Sequence, residues 1–141
     1  MNLNKGRAMQ RTIIVTGAGS GIGKATAKEF LENGYKVGFL GRRATTLETA
    51  ANGHKNALIL PCDVSDPVDV ETAFATAMAS WGRLDVLFNN AGIGSPPASV
   101  DETDVDVWLK VVAINLTGSF LCARAAFSQM RRHLRKSGAG A

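Results

Sequence analysis

The sequence contains little cysteine and no long uninterrupted apolar run, and each absence excludes a class of protein. Its two cysteines, Cys62 and Cys122, lie far apart and match no metal-ligand or redox spacing. We interpret both as small buried apolar residues that stay reduced. No segment approaches the roughly 20 apolar residues that a membrane helix needs, and the apolar run after the N-terminal basic residues is too short for a signal peptide. The sequence therefore predicts a cytoplasmic protein with no membrane partner.

A strong imbalance of charge is also missing. There are 16 lysines and arginines against 12 acidic residues, a net charge of +4. One cluster accounts for this excess: Arg131, Arg132, Arg135 and Lys136. Basic residues at the end of a helix complement the negative end of its dipole, which explains the cluster as a solvated helix terminus. Because interleaved aromatic residues are absent from this stretch, we expect no nucleic-acid partner.

The remaining composition is that of an ordinary globular domain. Of the 141 residues, 45% are hydrophobic and 20% are charged, which excludes disordered and fibrous classes. This length suffices for one hydrophobic core. We predict a single domain over residues 1–141, of which residues 1–11 form a flexible N-terminal segment.

Apolar or β-branched runs alternate with segments of helical periodicity. The run 12–16 is typical of a strand buried on both faces. Asp66 and Pro67 suit an N-cap and a first helical position, and Thr103 is the predicted N-cap of the last helix. The predicted strands cover 12–16, 36–40, 57–60 and 84–88, and the predicted helices cover 22–32, 43–51, 67–81 and 104–133. This order predicts an α/β fold, a Rossmann-like doubly wound parallel sheet with helices on both faces.

A glycine-rich loop joins the first predicted strand to the first helix. Unpaired N–H groups and the positive end of the helix dipole meet there, so the loop can bind a pyrophosphate. A side chain at Gly21 would fill the space that the phosphates need. The P-loop is excluded because Ala25 follows Gly23 and Lys24, and the G-x-G-x-x-G pattern fails at Ile22. The candidate phosphate-binding residues are Gly17, Gly19, Ser20, Gly21, Ile22 and Gly23.

Three further motifs follow the loop in order. Asp63-Val64 comes after the third strand, Asn89-Asn90-Ala91-Gly92 after the fourth, and Asn115 lies in the last helix. With the T-G-x-x-x-G-x-G spacing that begins at Thr16, this pattern resembles the short-chain dehydrogenase/reductase family over residues 12 to about 130. The resemblance implies an oxidoreductase that moves hydride between a nicotinamide cofactor and an alcohol or carbonyl substrate.

The resemblance also implies roles for single residues. Asp63 would hold the edge of the adenine ring, residues 90–92 would line the adenine ribose, and Val64 and Val112 belong to the same cofactor-binding set. The backbone carbonyl of Asn115 would take part in a water-linked proton relay. Each has a simpler alternative: Asp63 and the asparagines after the fourth strand as turn residues, and Asn115 as a buried, hydrogen-bonded side chain that bends its helix.

The end of the second strand bears on cofactor choice. An NAD site places an acidic residue there to bond the ribose 2′-hydroxyl, but this sequence has Gly41 followed by Arg42 and Arg43. A 2′-phosphate meets no repulsion at a glycine, and arginine offers it a bidentate fork. We predict NADP as the preferred cofactor, with NAD as the alternative. The alternative interpretation is that both arginines are solvated charges of a surface loop and contact no cofactor.

The last helix is also a candidate association surface. In the family that the sequence resembles, the corresponding helix pairs with its symmetry mate. Small and apolar residues exceed what packing on one sheet face needs: Ala123, Ala125, Ala126, Phe127 and Met130. We predict a homodimer or homotetramer that acts on a small-molecule alcohol or carbonyl compound.

The family's other catalytic residues have no match. These are a serine after a fifth strand and a tyrosine and lysine four apart on the next helix, whereas Tyr35 is the only tyrosine and Phe39 stands four residues after it. The chain is therefore expected to be either part of a longer enzyme or a short protein that binds a nucleotide without turnover. We expect no catalytic activity from these residues alone. A Rossmann-like methyltransferase is a third interpretation, which Gly41 disfavours because an acidic ribose partner belongs there.

Overall fold

The computed structural model describes residues 9–138. Most of the segment 1–11, predicted to be flexible, lies outside the described residues. The strands are β1 (Thr12–Thr16), β2 (Lys36–Gly41), β3 (Ala57–Pro61) and β4 (Val86–Phe88). The helices are α1 (Gly21–Glu32), α2 (Ala44–Ala51), α3 (Pro67–Trp81), α4 (Val105–Val111) and α5 (Ser119–Lys136). A 3-10 turn (Val100–Glu102) precedes α4, and a π-helical segment (Val112–Gly118) joins α4 to α5.

The four strands form one parallel sheet in the order β3-β2-β1-β4. Every residue of β1 is buried, as predicted for a central strand covered on both faces. Strand β4 is shorter than the predicted 84–88, because at its start the Asp85 side chain, and not a backbone carbonyl of β4, binds the backbone of β1. Its carboxylate accepts the Thr12 N–H at 2.8 Å, so the described β1–β4 register begins at Ile13 and Val86.

Helices cover both faces of the sheet, which confirms the predicted α/β fold. Ile13 and Val15 of β1 belong to a core cluster shared with α1 and α2. Ile14, between them, faces the opposite cluster, which α3 and α5 complete. Along α3, Val70, Phe74 and Ala77 face inward and are buried, and Met78 and Trp81 pack against the same cluster. Asp66 caps α3, accepting from the Val68 N–H at 2.9 Å.

The last helix differs from its prediction in two respects. Asp104, not Thr103, is its N-cap: the Asp104 carboxylate accepts the Asp106 N–H at 2.8 Å, whereas the Thr103 hydroxyl donates to the Ser99 carbonyl. The helix is also interrupted, because residues 112–118 are π-helical. The predicted N-cap at Thr103 is wrong because the 3-10 turn before it directs its hydroxyl back toward Ser99.

The continuous helical stretch Val105–Lys136 is long and apolar enough to cross a membrane, by length and composition, with a mean hydropathy of 1.5 in its best window. The prediction that no segment approaches such a length is therefore wrong. Only 22% of that window is buried. Core helices of soluble proteins pass the same test, so this finding assigns no membrane by itself. The exposed apolar side chains of the stretch are Val105, Trp108, Leu109, Leu116, Phe120, Phe127 and Leu134.

Candidate functional site

The loop between β1 and α1 depends on two glycines for different reasons. Gly17 has a φ of +66°, a left-handed conformation that favours glycine. Gly23 is required for packing, because a Cβ there would lie 2.2 Å from the Gly17 carbonyl oxygen. Helix α1 therefore begins in direct contact with the turn that precedes it.

The first turn of α1 leaves polar groups without a partner in the helix. Ser20 is the N-cap, and its hydroxyl makes no capping hydrogen bond. A Cβ built on Gly21 meets no atom within 4 Å, so the space above this residue is open. Ile22 is 72% exposed and points away from the core. The Ser20 hydroxyl and the first N–H groups of α1 are thus available to an anionic ligand.

The buried Thr16 connects the glycine loop to the segment after β4. Its Oγ1 accepts the backbone N–H groups of Asn90 at 2.9 Å and Ala91 at 2.8 Å. In return, Nδ2 of Asn90 donates to the Thr16 carbonyl oxygen at 3.2 Å. The Asn90 side chain therefore faces the glycine loop and donates to Thr16, whereas the turn-residue alternative has it bond its own backbone. Ala91 and Gly92 line the cleft beside it.

Asp63 lies just after β3 and combines a turn contact with an available oxygen. Its Oδ1 accepts from the Ser65 hydroxyl at 2.7 Å and from the Ser65 N–H at 2.9 Å. These hydrogen bonds lower the pKa of Asp63, assisted by the positive charge of Arg42 and opposed by burial. Oδ2 has no hydrogen-bond partner among the described residues. A charged acceptor therefore remains at the cleft for an incoming donor.

The end of β2 places cations beside the same cleft. Gly41 accepts the Cys62 N–H at 2.7 Å through its carbonyl, and a Cβ on Gly41 would lie 3.1 Å from Leu47 Cδ2. Arg42 and Arg43 follow and are exposed. Neither guanidinium forms an ion pair within the described part of the chain. Both charges are therefore free to meet an anion.

These features meet in an open cleft of about 300 Å³ at the carboxyl ends of the strands, where ligands of open α/β sheets bind. Most predicted site residues line it: Gly17, Gly19, Ser20, Gly41, Arg42, Arg43, Asp63, Val64, Ala91 and Gly92. The other predicted residues do not belong to its lining: Gly21, Ile22, Gly23, Asn90, Val112 and Asn115.

Sequence reasoning missed part of the lining: Thr46, Leu47, Cys62, Ile93 and Ile114. Cys62 and Ile93 adjoin predicted residues, so a wider window around each motif would have found them. Thr46 and Leu47 reach the cleft from α2, and Ile114 reaches it from the π-helical segment. Their approach results from packing between elements, which motif spacing does not reveal.

Asn115 anchors the π-helical segment to the loop after β4. Its Oδ1 accepts the Ile93 N–H, and its Nδ2 donates to the Ile93 carbonyl, both at 2.8 Å. The alternative interpretation of Asn115 was a buried, hydrogen-bonded side chain. Its hydrogen bonds are present, but the residue is exposed, so the predicted burial is wrong. The Asn115 carbonyl, to which the resemblance assigns a proton relay, accepts the Ser119 hydroxyl at 2.8 Å.

Comparison with known proteins assigns the chain to a family. A family model described as short chain dehydrogenase matches residues 11–140. The chain belongs to the short-chain dehydrogenase family. It is 41% identical to cis-4-hydroxycyclohexanecarboxylate dehydrogenase of Sinomonas cyclohexanicum, over 94% of this chain and 53% of that protein. It is 44% identical to 2-(R)-hydroxypropyl-CoM dehydrogenase of Xanthobacter autotrophicus, over 86% of this chain and 52% of that one. The chain thus spans about half the length of these short-chain dehydrogenases.

Solved structures agree with the family. A 3-ketoacyl-(acyl-carrier-protein) reductase from Brucella melitensis, complexed with NADH, superposes with a TM-score of 0.86 at 30% identity, over 92% of this chain and 54% of that chain. A 3-ketoacyl-ACP reductase from Sinorhizobium meliloti 1021 has a TM-score of 0.81 at 35% identity, over 86% and 49%. The Rossmann-like fold is therefore confirmed, and the methyltransferase interpretation is removed.

In this member of the family, Tyr35 lies far from the cleft. It precedes the first residue of β2, at the opposite end of the strands, and packs edge-on against Phe30 with 4.8 Å between ring centroids. The only tyrosine of the chain therefore does not stand in for the family's catalytic tyrosine.

Proposed function

We propose that the protein is an NAD(P)-dependent oxidoreductase acting on an alcohol or carbonyl group of a small molecule, and that these residues form its cofactor-binding half. The convergence of the glycine loop, Asp63 and the arginines on one cleft carries this proposal. The names of its relatives, which include sorbose reductase sou1 of Schizosaccharomyces pombe, support the substrate class. When bound, the nicotinamide ring supplies or accepts the hydride.

The chain's own residues divide the work of holding such a cofactor. The N–H groups at the start of α1 and the Ser20 hydroxyl bind the pyrophosphate. The free Oδ2 of Asp63 accepts the amine of the adenine ring, while Ala91 and Gly92 allow close approach of the ribose. The Asn115 carbonyl, oriented by the bonds of its side chain to Ile93, holds a water of the proton relay.

The test is turnover and binding by the full-length protein. We expect it to oxidise a reduced nicotinamide cofactor in the presence of one or more members of a panel of ketones and aldehydes, followed by absorbance. Asp63→Ala should weaken cofactor binding about tenfold, because it removes a charge-assisted hydrogen bond. Ser65→Ala keeps the carboxylate and serves as the matched control. A protein that binds neither cofactor by calorimetry would contradict the proposal.

We further propose a preference for NADP over NAD. Its support is the pair of unpaired cations at Arg42 and Arg43 and the absence of a carboxylate at Gly41. Arg42→Ala should weaken NADPH binding by roughly 10–100-fold, since a hydrogen bond to a charged group contributes about 1.5–3 kcal/mol, and should leave NADH binding unchanged. The control is Arg11→Ala, which removes a positive charge at an exposed position before β1 and should leave NADPH binding unchanged. Equal affinities that Arg42→Ala leaves unaltered would refute the preference.

We also propose a homodimer or homotetramer that associates through the exposed apolar face of α4 and α5. The support is the set of large apolar side chains on that face, which are 49% to 68% exposed, because such patches mark association surfaces. Light scattering at micromolar concentration should show at least a dimer. A monomer at every concentration tested would contradict this assembly.

The cytoplasm is the compartment we propose, without a nucleic-acid or membrane partner. Cys62 and Cys122 are both free and buried, and burial is the main cause that raises the pKa of Cys62 to about 12 and that of Cys122 to about 11. Unreactive buried thiols suit a reducing compartment. Cell fractionation tests the location, and recovery in the membrane pellet would count against it.

A further inference from the structure

Asparagine directly precedes glycine at two places in the sequence, Asn33-Gly34 and Asn52-Gly53. This pair is chemically labile, because glycine has no Cβ to keep its backbone nitrogen away from the asparagine side chain. The nitrogen can attack the side-chain amide carbon and close a five-membered ring. Both pairs follow a helix, α1 in one case and α2 in the other, and all four residues are exposed. The two sites therefore share their local chemistry and are distinguished by the contacts that hold them.

The first pair is held by hydrogen bonds at both reacting groups. Nδ2 of Asn33 donates to the Glu29 carbonyl oxygen at 2.8 Å and to Oε1 of the Glu29 carboxylate at 3.1 Å. The Gly34 N–H, which carries the attacking nitrogen, donates to the Leu31 carbonyl at 3.0 Å. The Gly34 carbonyl accepts Nε2 of Gln10 at 2.8 Å. Neither the side-chain amide nor the glycine nitrogen can move without breaking these bonds.

The second pair is held much less. The backbone N–H of Asn52 donates to the Glu48 carbonyl at 3.0 Å, and the His54 N–H donates across the turn to Ala51 at 3.1 Å. Among the described residues, neither the Asn52 side-chain amide nor the Gly53 N–H has a hydrogen-bond partner. The φ of Asn52 is +49°, a left-handed conformation that an L-residue adopts at some energetic cost. The bonds that protect the first pair have no counterpart in the second.

Freedom to rotate decides which pair can react. The glycine nitrogen meets the side-chain carbon only when the asparagine ψ is strongly negative, and the observed ψ is 14° at Asn33 and 42° at Asn52. The rotation therefore breaks the bonds that hold the Asn33 amide and the Gly34 N–H. At Asn52 the reacting groups lose no hydrogen bond, and a Cβ built on Gly53 meets no atom within 4 Å. Exposed turns with few hydrogen bonds open locally at low cost.

We propose that Asn52 is a site of spontaneous deamidation and that the fold protects Asn33 from the same reaction. The Gly53 nitrogen bonds to Cγ of Asn52, the Cγ–Nδ2 bond breaks, and ammonia leaves with the proton that the Gly53 nitrogen loses. Water then opens the ring at one of its two carbonyl carbons. Cleavage of the bond from nitrogen to Cγ gives aspartate, and cleavage of the bond to the main-chain carbonyl carbon gives isoaspartate. One water is consumed and one ammonia is released, without oxidation or reduction.

The isoaspartate product changes the main chain. It adds one carbon between positions 52 and 53, in the turn that joins α2 to β3. After the turn, the Ala57 N–H donates to the His54 carbonyl at 3.0 Å, and the described β2–β3 register begins at Val37 and Ala57. Before the turn, Leu47 of α2 is buried in the core. Because the longer turn disturbs the connection between these packed elements, we expect the isoaspartate form to melt at a lower temperature.

Mass spectrometry of the full-length protein, incubated for several days at mildly alkaline pH, tests the proposal. Trypsin cuts after lysine and arginine, so it separates the two sites into peptides 29–36 and 44–55, each with a single asparagine. A converted peptide gains the mass difference between an amide and an acid, and its isoaspartate and aspartate forms are separated by chromatography. In the folded protein, peptide 44–55 should convert at least about tenfold faster, since two ordinary hydrogen bonds together amount to such a factor.

The same protein unfolded in guanidinium chloride controls for the sequence. There the two peptides should convert at similar rates, because the fold no longer distinguishes them. Equal conversion of both peptides in the folded protein would refute the proposal. A peptide 44–55 that converts only after unfolding would refute it as well, because the turn at Asn52 would then be as protected as the turn at Asn33.

Two variants test the physical reasons. Glu29→Ala removes one of the two bonds that hold the Asn33 amide, and should speed the conversion of peptide 29–36 without changing that of peptide 44–55. Asn52→Gly takes the left-handed conformation without strain and cannot react. After the same incubation, the wild type should therefore melt at a lower temperature than Asn52→Gly does, relative to the fresh proteins. An equal decrease in both would refute the destabilising effect of the product.

Discussion

Gly21 and Gly23 stand two residues apart, and we expect substitutions at them to fail for different reasons. At Gly23 the constraint is steric: a Cβ would lie 2.2 Å from a backbone oxygen and 2.8 Å from the Asn90 side chain. We expect Gly23→Ala to lower the free energy of unfolding by several kcal/mol, about the range of severe packing mutations. Thermal denaturation measures it. Gly94→Ala, where a Cβ meets nothing within 4 Å, should be nearly neutral, and equal losses in both variants would contradict the steric explanation.

At Gly21 the constraint that we expect is the cofactor phosphate proposed above. No protein atom lies within 4 Å of a Cβ there, and the φ of +53° alone makes alanine cost about 1 kcal/mol. Gly53→Ala has the same backbone cost, with a φ of +68° and open space, away from the cleft. Both variants should lose similar stability, but only Gly21→Ala should lose affinity for NADPH. Equal affinities in a titration would show that no phosphate lies above Gly21.

We expect the titration of Asp85 to affect the stability of the fold. Burial by itself would raise its pKa, but hydrogen bonds from Arg83 and Thr12 and the charge of Arg83 lower it. A carboxyl with a lowered folded pKa contributes stability above its unfolded pKa of about 3.9 and loses it as the pH falls through the folded pKa. Asp85→Asn should therefore be less stable than wild type at pH 7, and the difference should shrink below about pH 4. Urea unfolding across pH checks this, with Asp101→Asn as control.

At the scale of elements, the π-helical segment and the loop after β4 form one unit. Two hydrogen bonds of 2.8 Å join Asn115 to the backbone of Ile93, and Ile93 lines the cleft. Asn115→Ala should cost about 1–2 kcal/mol and loosen residues 89–99. Hydrogen exchange in that loop should accelerate, while Thr117→Ala, exposed in the same segment, should leave it unchanged. Unaltered exchange in Asn115→Ala would mean that other contacts hold the loop.

The bounds of the strands and of the first three helices were predicted within one residue, except at the start of β4, which differs by two. Local patterns are enough to predict such elements. They are β-branched runs, helical periodicity, and residues that begin or end a helix, such as Asp66 before Pro67 or the glycine after Trp81. The cap at Asp104 and the π-helical turn were missed. Both depend on contacts outside the helix, with the 3-10 turn in one case and with Ile93 in the other.

At the scale of the whole molecule, catalysis requires residues that this sequence does not contain. General acid–base assistance typically contributes about 10²–10⁴-fold, and Tyr35 lies at the wrong end of the strands. Expressed alone, the 141 residues should show no turnover and weak NADPH binding. Strand β4, at the edge of the described sheet, also favours aggregation. Turnover by a soluble, mass-verified 141-residue chain would contradict the catalytic interpretation, and the full-length protein is the comparison.

The family, the α/β fold and most of the cleft lining were determined by the sequence alone, because glycine spacing and strand-end motifs are local and strands of a parallel sheet end at one edge. Only the tertiary structure decided how those residues are used. Asn90 turns toward Thr16, Ile114 reaches the cleft, and large apolar side chains of Val105–Lys136 stay exposed. Each of these depends on partners far away in the chain, where packing and hydrogen bonding between elements, and not local propensity, select the orientation of a side chain.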